Sequence, residues 1–332
     1  MIKRFYPLND KTLDFKFTQN EEDFIVEEQP IKFAQSGNFL VLKVRKKNCD
    51  TWELIDRFAS FLGVYSSEIG YAGLKDKRAT TTQYISIPKK YSNEIKSFRS
   101  KKIEILESYL HNEKLSIGDL KGNRFKINLY DVEVTDINHI QKLLKVVTKK
   151  GFPNYFGYQR FGKEVEENME KAKAVIEGEN IIKDKKLSKM LIAAYQSDFF
   201  NKWLVERLKL EKDEFKLLDG DVFLDLSKDK LFTPKAITEQ ITNDFINKKI
   251  VPTGLLPGRK VFKALGMARK IEEKYDDELI QEKGYRREAI VFPSDINCKY
   301  DASKKMCSLD FILPKGSYAT VLIEFFANRN FK

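Results

Sequence analysis

The chain has 332 residues, with 60 Lys and Arg against 49 Asp and Glu, so its formal net charge is +11. Because 42% of the residues are hydrophobic and 25 are Phe, the chain can bury a substantial core, which excludes intrinsic disorder for the molecule as a whole. The excess of positive charge indicates an anionic partner, a nucleic acid or a membrane, but taken alone it is equally typical of a Lys-rich proteome.

Hydrophobic periodicity predicts a sheet with helices in the first part of the chain. The apolar run Phe39–Val44 and the alternating stretch Phe125–Tyr130 each predict a strand. Between them, apolar residues at helical spacing follow Asp50, the predicted N-cap, and Glu53 is placed to reach back to it. Gly63 is predicted to end this helix.

A second helix is predicted from Asp136 to Gly151, and the sequence then changes in character. Helix-like stretches at residues 165–177, 186–210 and 234–248 dominate the following segment, and Gly and Pro residues separate them. This part of the chain is therefore predicted to form a separate, mainly helical module.

The C-terminal part returns to strand patterns. Leu309–Leu313 follows a period of two, and the apolar run Ala319–Phe326 is predicted to be a further strand. These strands need partners, and the N-terminal sheet is the obvious one. We therefore predict a discontinuous domain of mixed α and β structure, residues 1–150 and 292–332, which a mainly helical insert, residues 151–291, interrupts.

Cysteine and histidine usage excludes further classes of protein. The chain has three Cys and two His, and none of them stands in a Cys-x-x-Cys or His-x-x-x-His arrangement. A disulfide framework is impossible at this density, and a His/Cys metal site is not expected. The sequence has no apolar signal region at its start and no apolar run of about 18 residues, so we expect a reduced cytoplasmic protein without membrane contact.

One glycine-rich segment resembles a phosphate-binding loop only in part. Gly157–Lys163 fits the first seven positions of a P-loop, but the eighth is Glu164, where a Ser or Thr hydroxyl must bind Mg²⁺. The interior of the segment is bulky, and no apolar strand leads into it. The chain also lacks Gly-x-Gly-x-x-Gly, so a dinucleotide or adenosylmethionine site of that type has no support.

Aromatic and basic residues are interleaved in three segments, Asn154–Gly162, Lys121–Phe125 and Gly284–Arg287. Rings that stack on unpaired bases, beside guanidinium groups that bind phosphates, are the chemistry of RNA recognition. The alternative is that these aromatic residues belong to the core next to a helix start. Three such segments together with the positive charge favour RNA.

The segment Gly70–Gln83 places Asp76 among the cations Lys75, Lys77 and Arg78. Adjacent cations keep a carboxylate ionised, so that it can act as a nucleophile or a base. A run of this kind is also typical of a solvated turn. Composition and spacing leave both interpretations open.

Within that segment, Gly73–Thr81 resembles the Gly-x-Lys-Asp-x-x-Ala-x-Thr signature of the TruD family of pseudouridine synthases. Further blocks similar to the family occur in the family's order: Glu22–Glu28, Lys121–Phe125, Pro153–Gly162, Pro252–Gly254, Gly284–Arg287 and Leu313–Thr320. The resemblance spans about residues 22 to 320, and chance agreement of so many ordered blocks is negligible.

The resemblance implies an α+β fold. Its catalytic pseudouridine-synthase domain would have a mixed, largely antiparallel sheet that is discontinuous in sequence, and a mainly helical, family-specific domain would be inserted into it. By the same resemblance, the protein would isomerise uridine 13 in the D arm of tRNA to pseudouridine, without a cofactor or a metal. Its partner would be tRNA, and we expect a monomer.

The resemblance also assigns roles to residues. Asp76 would be the catalytic carboxylate, and Phe24, Asn123 and Tyr318 would contact the target nucleotide. Phe125 would lie in the same pocket and would be the aromatic residue on which the base stacks. The chemistry suits these residue types, because a flipped-out base gains from stacking on a ring and an amide offers the uracil edge both a donor and an acceptor.

Two rival classes are considered beside this one. A non-catalytic RNA-binding module is disfavoured by the intact signature around Asp76. A different RNA-modifying enzyme, such as a methyltransferase, is disfavoured because the glycine loop expected for adenosylmethionine is missing. The sequence also departs from the family in places, with Tyr318 where Phe is frequent, and with Thr18 and Glu21 where Lys and Pro are frequent.

Overall fold

The computed structural model describes residues 2–162, 164–179, 182–212 and 214–331. Its helices are α1 (Thr51–Leu62), α2 (Val134–Lys150), α3 (Val165–Ile176), α4 (Lys185–Leu208), α5 (Glu239–Ile246), α6 (Gly266–Glu272) and α7 (Ala319–Ala327). Its strands are β1 (Lys16–Phe17), β2 (Phe24–Pro30), β3 (Phe39–Lys47), β4 (Gly70–Tyr71), β5 (Thr80–Pro88), β6 (Ile103–His111), β7 (Leu120–Tyr130), β8 (Phe152–Pro153), β9 (Val222–Asp225), β10 (Lys230–Phe232), β11 (Ile250–Leu256), β12 (Tyr285–Glu288), β13 (Ile290–Val291), β14 (Ser294–Asp301) and β15 (Met306–Pro314). Within the described ranges, no helix combines the length and the apolar composition that crossing a membrane requires.

The chain forms two compact units. The sheet unit comprises Asp14–Gln141 and Pro293–Gly316, and the terminal unit comprises Met1–Leu13, Lys142–Phe292 and Ser317–Lys332. The predicted domains differ from these units at both ends of the chain, because the prediction grouped both termini with the sheet. The assignment of catalysis to one sequence domain stays a prediction.

The sheet unit is built on a nine-stranded mixed sheet whose main path runs β14-β15-β7-β2-β5-β3-β6, with β1 beside β7 and β4 beside β5. Most neighbouring strands are antiparallel, whereas β2 and β5 are parallel, with Ile25 opposite Thr80. The C-terminal strand β15 pairs with β7, with Phe311 opposite Phe125. This pairing confirms the prediction that the C-terminal strands join the N-terminal sheet.

Helix α1 packs on one face of this sheet. The side chain of Asp50 accepts a hydrogen bond from the Glu53 N–H at 2.9 Å, and Gly63 follows the helix with a φ of 65°. Both ends are therefore where the sequence predicts them, but the Glu53 carboxylate lies 2.9 Å from Arg57. The buried residues of α1 share one core cluster with inward residues of β3 and β5.

The terminal unit contains more strand than the sequence predicts. Besides its helices it holds the antiparallel sheet β10-β9-β11-β12 and the pair β13-β8. Pro252 and Gly254, which were expected to separate helices, lie inside β11. A Cβ atom on Gly254 would lie 2.2 Å from the Trp203 ring, so glycine at this position allows helix α4 to approach β11.

The prediction of a strand at Ala319–Phe326 is wrong, because Ala319–Ala327 forms helix α7. All nine residues of α7 are buried, so the helix has no polar face and its apolar run carries no helical period. Its Glu324 forms a buried ion pair with Arg4 and accepts a hydrogen bond from the Tyr6 hydroxyl at 3.1 Å. These contacts join the N-terminal residues to the C-terminal helix and explain why both belong to the terminal unit.

Candidate active site

Two parallel strands start at the same edge of the sheet and bring predicted site residues together. Strand β2 begins at Phe24, strand β5 begins at Thr80, and the loop that carries Asp76 leads directly into β5. Because parallel strands run in the same direction, their first residues lie at one edge. The Asp76 loop and Phe24 therefore belong to the same end of the sheet unit.

Side chains that lie opposite one another on paired strands share a face of the sheet. By the observed register, one face carries Phe24 and Glu28 of β2, Asn123 and Phe125 of β7, and Lys46 of β3. The core cluster under α1 is on this same face. Three of the predicted nucleotide contacts thus share a face with two charged residues.

The loop before β5 is held to this face through its backbone and a side chain. The Lys75 N–H donates to the Thr51 Oγ1 at 2.9 Å, and the Lys75 ammonium lies 2.7 Å from the Glu28 carboxylate. The Lys46 ammonium donates to the main-chain carbonyls of Lys75 and Asp76 at 3.5 and 3.3 Å. Two strands and the start of a helix therefore fix the backbone at Asp76.

Asp76 is an exposed residue. Desolvation by surrounding protein atoms nevertheless raises the pKa of its carboxyl, and the positive charges of Lys46 and Lys75 oppose that shift. The sequence pointed to cations that flank the aspartate along the chain. Of these, Lys77 instead lies 3.8 Å from Glu53, and the cation with the largest effect, Lys46, comes from another strand.

The rings of Phe24 and Phe125 are neighbours, with centroids 6.0 Å apart and planes at 53°. The Phe125 ring also stacks on Phe311 at 5.6 Å. Phe24 is 2% exposed and Phe125 is 7% exposed, so protein covers most of both rings. Stacking of a base on Phe125 requires part of this cover to move.

Asn123 is half-buried, and its Oδ1 atom is buried without a hydrogen-bond donor among the described residues. A buried acceptor without a donor is unfavourable. The preceding residue, Gly122, lets β7 and β15 approach closely, because a Cβ atom there would lie 2.2 Å from the Leu313 carbonyl oxygen.

Tyr318 lies in the terminal unit, immediately before α7, and is half-buried. Its ring meets the Phe156 ring edge-on, with centroids 6.1 Å apart. The guanidinium carbon of Arg287 is 5.8 Å from the Tyr318 ring centroid. Its expected contact with the target nucleotide stays a prediction.

Several residues of the aromatic and basic segments in the terminal unit take part in internal packing. The Arg287 guanidinium donates to the Asn154 main-chain and side-chain oxygens at 2.8 and 2.7 Å, and its central carbon lies 4.0 Å from the Phe156 ring centroid. Tyr155 is fully buried. Burial lowers the pKa of Arg287 to about 10. For Arg287, Tyr155 and Phe156 these contacts support the alternative interpretation, that they belong to the core.

Sequence reasoning missed three residues that hold the Asp76 loop: Lys46, Glu28 and Thr51. Lys46 lies in the inward phase of β3, two residues after the buried Val44, and Glu28 lies two residues after the buried Val26. A charged residue in the apolar phase of a strand has to find a partner in the interior. That signal was available in the sequence.

Candidate metal ligands are sparse. No group of three or more His, Cys, Asp or Glu side chains within the described ranges could hold a metal ion. The Sγ atoms of Cys298 and Cys307 are 3.1 Å apart on the β14–β15 hairpin, and Cys49 is buried. These thiols are not part of a larger ligand set.

Comparison with known proteins shows the family to which the chain is similar. A family model described as tRNA pseudouridine synthase D (TruD) matches residues 3–184 and 181–325. The chain is 41% identical to the tRNA pseudouridine synthase D of Wolinella succinogenes, with 100% of this chain and 99% of the relative covered. It is 40% identical to that of Nitratiruptor sp., with 100% and 99% covered. The solved structure of the putative tRNA pseudouridine synthase D from Methanosarcina mazei matches with a TM-score of 0.75 at 24% identity, over 98% of this chain and 96% of that one.

Proposed function

Because the chain belongs to the tRNA pseudouridine synthase D (TruD) family, and is therefore a pseudouridine synthase, an isomerase, we propose that it isomerises uridine 13 of tRNA with Asp76 as the catalytic carboxylate. The reaction breaks the bond between ribose C1′ and uracil N1 and forms a bond between C1′ and C5. The C5 proton is lost and N1 gains a proton, so the product has the atoms of the substrate.

One observation carries the proposal. Asp76 is an exposed residue whose backbone is fixed by contacts from β3, through Lys46, and whose loop is fixed by contacts from β2, through Glu28, and from α1, through Thr51. A group that must meet a reacting atom at close range needs this positioning, because a small displacement is costly in rate. The same carboxyl is subject to the charges of two lysines.

An ionised Asp76 suits each chemical route that is open. The carboxylate can attack the sugar at C1′, attack the uracil ring, or remove a proton from the sugar, and each route starts from the anion. The positive charges of Lys46 and Lys75 favour that anion. Desolvation of the same carboxyl makes it more basic and thus a stronger nucleophile or base.

The substrate base has to leave the RNA stack to reach this group. Flipping a base costs a few kcal/mol, and stacking on a ring such as Phe24 or Phe125 returns about 1–3 kcal/mol. We propose the Oδ1 of Asn123, which has no hydrogen-bond donor among the described residues, as the acceptor for the base N3–H. We propose that Tyr318 contacts the same nucleotide.

The proposal extends to the domains of the chain, its oligomeric state and its partner. We assign catalysis to residues 1–150 and 292–332 and treat residues 151–291 as the family-specific insert. We expect the protein to act as a monomer in the cytoplasm on tRNA, without a cofactor.

The direct test measures tritium release from tRNA transcripts that carry 5-tritiated uracil, together with the Kd for tRNA. Asp76→Asn should abolish release and leave the Kd unchanged. Asp56→Asn, the same substitution on the exposed surface of α1, should release tritium at the rate of the unmodified protein. Release by Asp76→Asn at that rate would refute the catalytic role, and modification of a transcript with cytidine at position 13 would refute the proposed position.

A further inference from the structure

Lys46 is a lysine in the protein interior. The residue is 0% exposed, although lysine is seldom fully buried unless it is paired. Its ammonium forms no salt bridge with a carboxylate of the described residues. It donates instead to three main-chain carbonyls, those of Cys49, Lys75 and Asp76.

These three carbonyls join two segments that are distant in sequence. Cys49 lies directly before the N-cap of α1, and Lys75 and Asp76 form the loop before β5. An ammonium group has three N–H donors, so the three carbonyls use its full capacity. The Lys46 ammonium therefore fastens the Asp76 loop to the start of α1 and to strand β3.

The charge of Lys46 also acts on the site. The titratable groups that interact with it are Cys49, Asp50 and Asp76, which favour its protonated form, and Lys75, which opposes it. Burial outweighs these interactions and lowers the pKa of Lys46 to about 8. For the Asp76 carboxyl, Lys46 is the strongest of the interactions that favour ionisation.

We propose that Lys46 is the positioning residue of the catalytic carboxylate: it fixes the backbone of the Asp76 loop through the Lys75 and Asp76 carbonyls and supplies the cation that stabilises the Asp76 anion. This inference rests on the proposed function of Asp76 and identifies the cation that serves it. Lys46 itself does not touch the substrate, because it is enclosed in protein.

The proposal separates two consequences of losing Lys46. Without its hydrogen bonds, the Asp76 backbone is free to shift, and a displacement of about 1 Å can cost roughly 100-fold in rate. Without its charge, the Asp76 pKa rises further, so the acidic limb of the rate–pH profile moves to higher pH. A residue with only a structural role would lower the amount of folded protein without moving that limb.

The experiment compares Lys46→Met, Lys46→Arg and the control Lys47→Met in single-turnover reactions at saturating tRNA. Lys46→Met keeps an unbranched chain in the core but removes the donors and the charge. We expect a rate loss of roughly 100-fold, an unchanged Kd for tRNA and an acidic limb at higher pH. Lys46→Arg keeps a charge and should restore the position of the limb and part of the rate. Lys47 is exposed on the same strand, and its replacement should leave the rate and the limb unchanged.

A second test uses the unmodified protein and therefore does not depend on whether a variant folds. Its single-turnover rate should fall on the alkaline side with a midpoint near 8, where the interior lysine loses its proton. A rate that stays level through the alkaline range overturns the proposal. So does Lys46→Met with a normal rate, or with a reduced rate and an unmoved acidic limb.

The failure of this inference can be told from the failure of the proposed function. Asp76→Asn is assayed beside the Lys46 variants. If Asp76→Asn is inactive and Lys46→Met is normal, only the role of Lys46 is overturned. If Asp76→Asn is active, the role of Asp76 fails and the role of Lys46 fails with it.

Discussion

The carboxylate of Glu28 lies 2.7 Å from the ammonium of Lys75, the residue immediately before Asp76. Both side chains are almost fully enclosed, with 0% and 7% of their surfaces exposed. Burial raises the pKa of Glu28, and the charge of Lys75 opposes that shift. This interior ion pair fastens the loop before β5 to strand β2.

Replacement of Glu28 should therefore affect both stability and rate. Glu28→Gln leaves the ammonium of Lys75 enclosed without a counter-charge, and removal of one partner of a buried pair costs about 3–5 kcal/mol. We expect a lower free energy of unfolding in urea and a slower reaction at saturating tRNA. Glu104→Gln breaks a solvent-exposed pair with Arg45 and should change stability by less than about 1 kcal/mol. Equal effects of the two substitutions would contradict this assignment.

Asp76→Asn should stabilise the fold at neutral pH while it abolishes activity. Desolvation raises the folded-state pKa of Asp76, so the charged carboxylate lowers stability once the pH is above that value. The cost is absent below the unfolded pKa of about 4, where the carboxyl is neutral in both states. Thermal midpoints across the acidic range should show a gain at neutral pH that disappears as the pH falls. Asp225→Asn should instead lower the stability at neutral pH, because hydrogen bonds from Ser227 and Lys228 lower the pKa of Asp225 to about 2.

Phe125→Leu should slow base capture more than it destabilises the protein. The substitution removes the aromatic face and keeps an apolar side chain, so the stacking contribution of about 1–3 kcal/mol is lost. Phe311→Leu makes the same change in the ring that stacks on Phe125. Single-turnover rates should fall for Phe125→Leu well beyond Phe311→Leu at a similar thermal midpoint. Identical rates for the two variants would show that Phe125 serves the core alone.

Gly122→Ala tests the close approach of β7 and β15. The added Cβ would meet the Leu313 carbonyl oxygen at 2.2 Å, so the strands have to separate beside Asn123. We expect a loss of about 1–3 kcal/mol in the free energy of unfolding, as for other overpacked sites. The neighbouring amide should also shift, so the KM for tRNA should rise. Gly63→Ala has open space around its Cβ and only an unfavourable φ, and it should lower stability by about 1 kcal/mol without changing KM.

Arg287→Lys distinguishes packing from phosphate binding. Lysine cannot reproduce the two hydrogen bonds to Asn154 or the planar contact with the Phe156 ring. We expect a loss of about 1.5–3 kcal/mol in stability. The salt dependence of tRNA binding should stay the same, because the enclosed guanidinium releases no counterions. A smaller salt slope would restore the interpretation that this residue binds RNA phosphate.

The sequence predicts most of the sheet unit, because its elements carry clear local signals. Asp50 and Gly63 mark the ends of α1, and strict alternation marks β7 and β15. Local signals do not predict helix α7, because the apolar residues of a helix that is buried on every side do not recur with a period of 3.6 residues. Strand β11 was missed because Pro252 and Gly254 are typical of turns, and only the Trp203 ring explains the glycine.

The residues of the candidate site likewise differ in whether local sequence signals predict them. Asp76, Asn123 and the paired rings follow from motifs that are local in sequence. The cation proposed to act on Asp76 does not, because Lys46 reaches the Asp76 main-chain carbonyl across the strand order β5-β3 rather than along the chain. The strand pairing shows that Lys46 lies near Asp76. The sequence indicates only that Lys46 falls in the buried alternation of β3 and needs a partner in the interior.

Strand β15 pairs with β7 beside Asn123, although the two strands are far apart along the chain. The ion pair between Arg124 and Asp310, for example, joins residues 186 positions apart. During synthesis, strand β7 therefore leaves the ribosome long before its neighbour exists. Its edge stays unpaired until the C-terminal hairpin emerges, which is the kind of exposed edge that chaperones protect. We therefore expect a nascent chain that stops before Met306 to carry the Asp76 loop and Asn123 while one edge of β7 is still exposed.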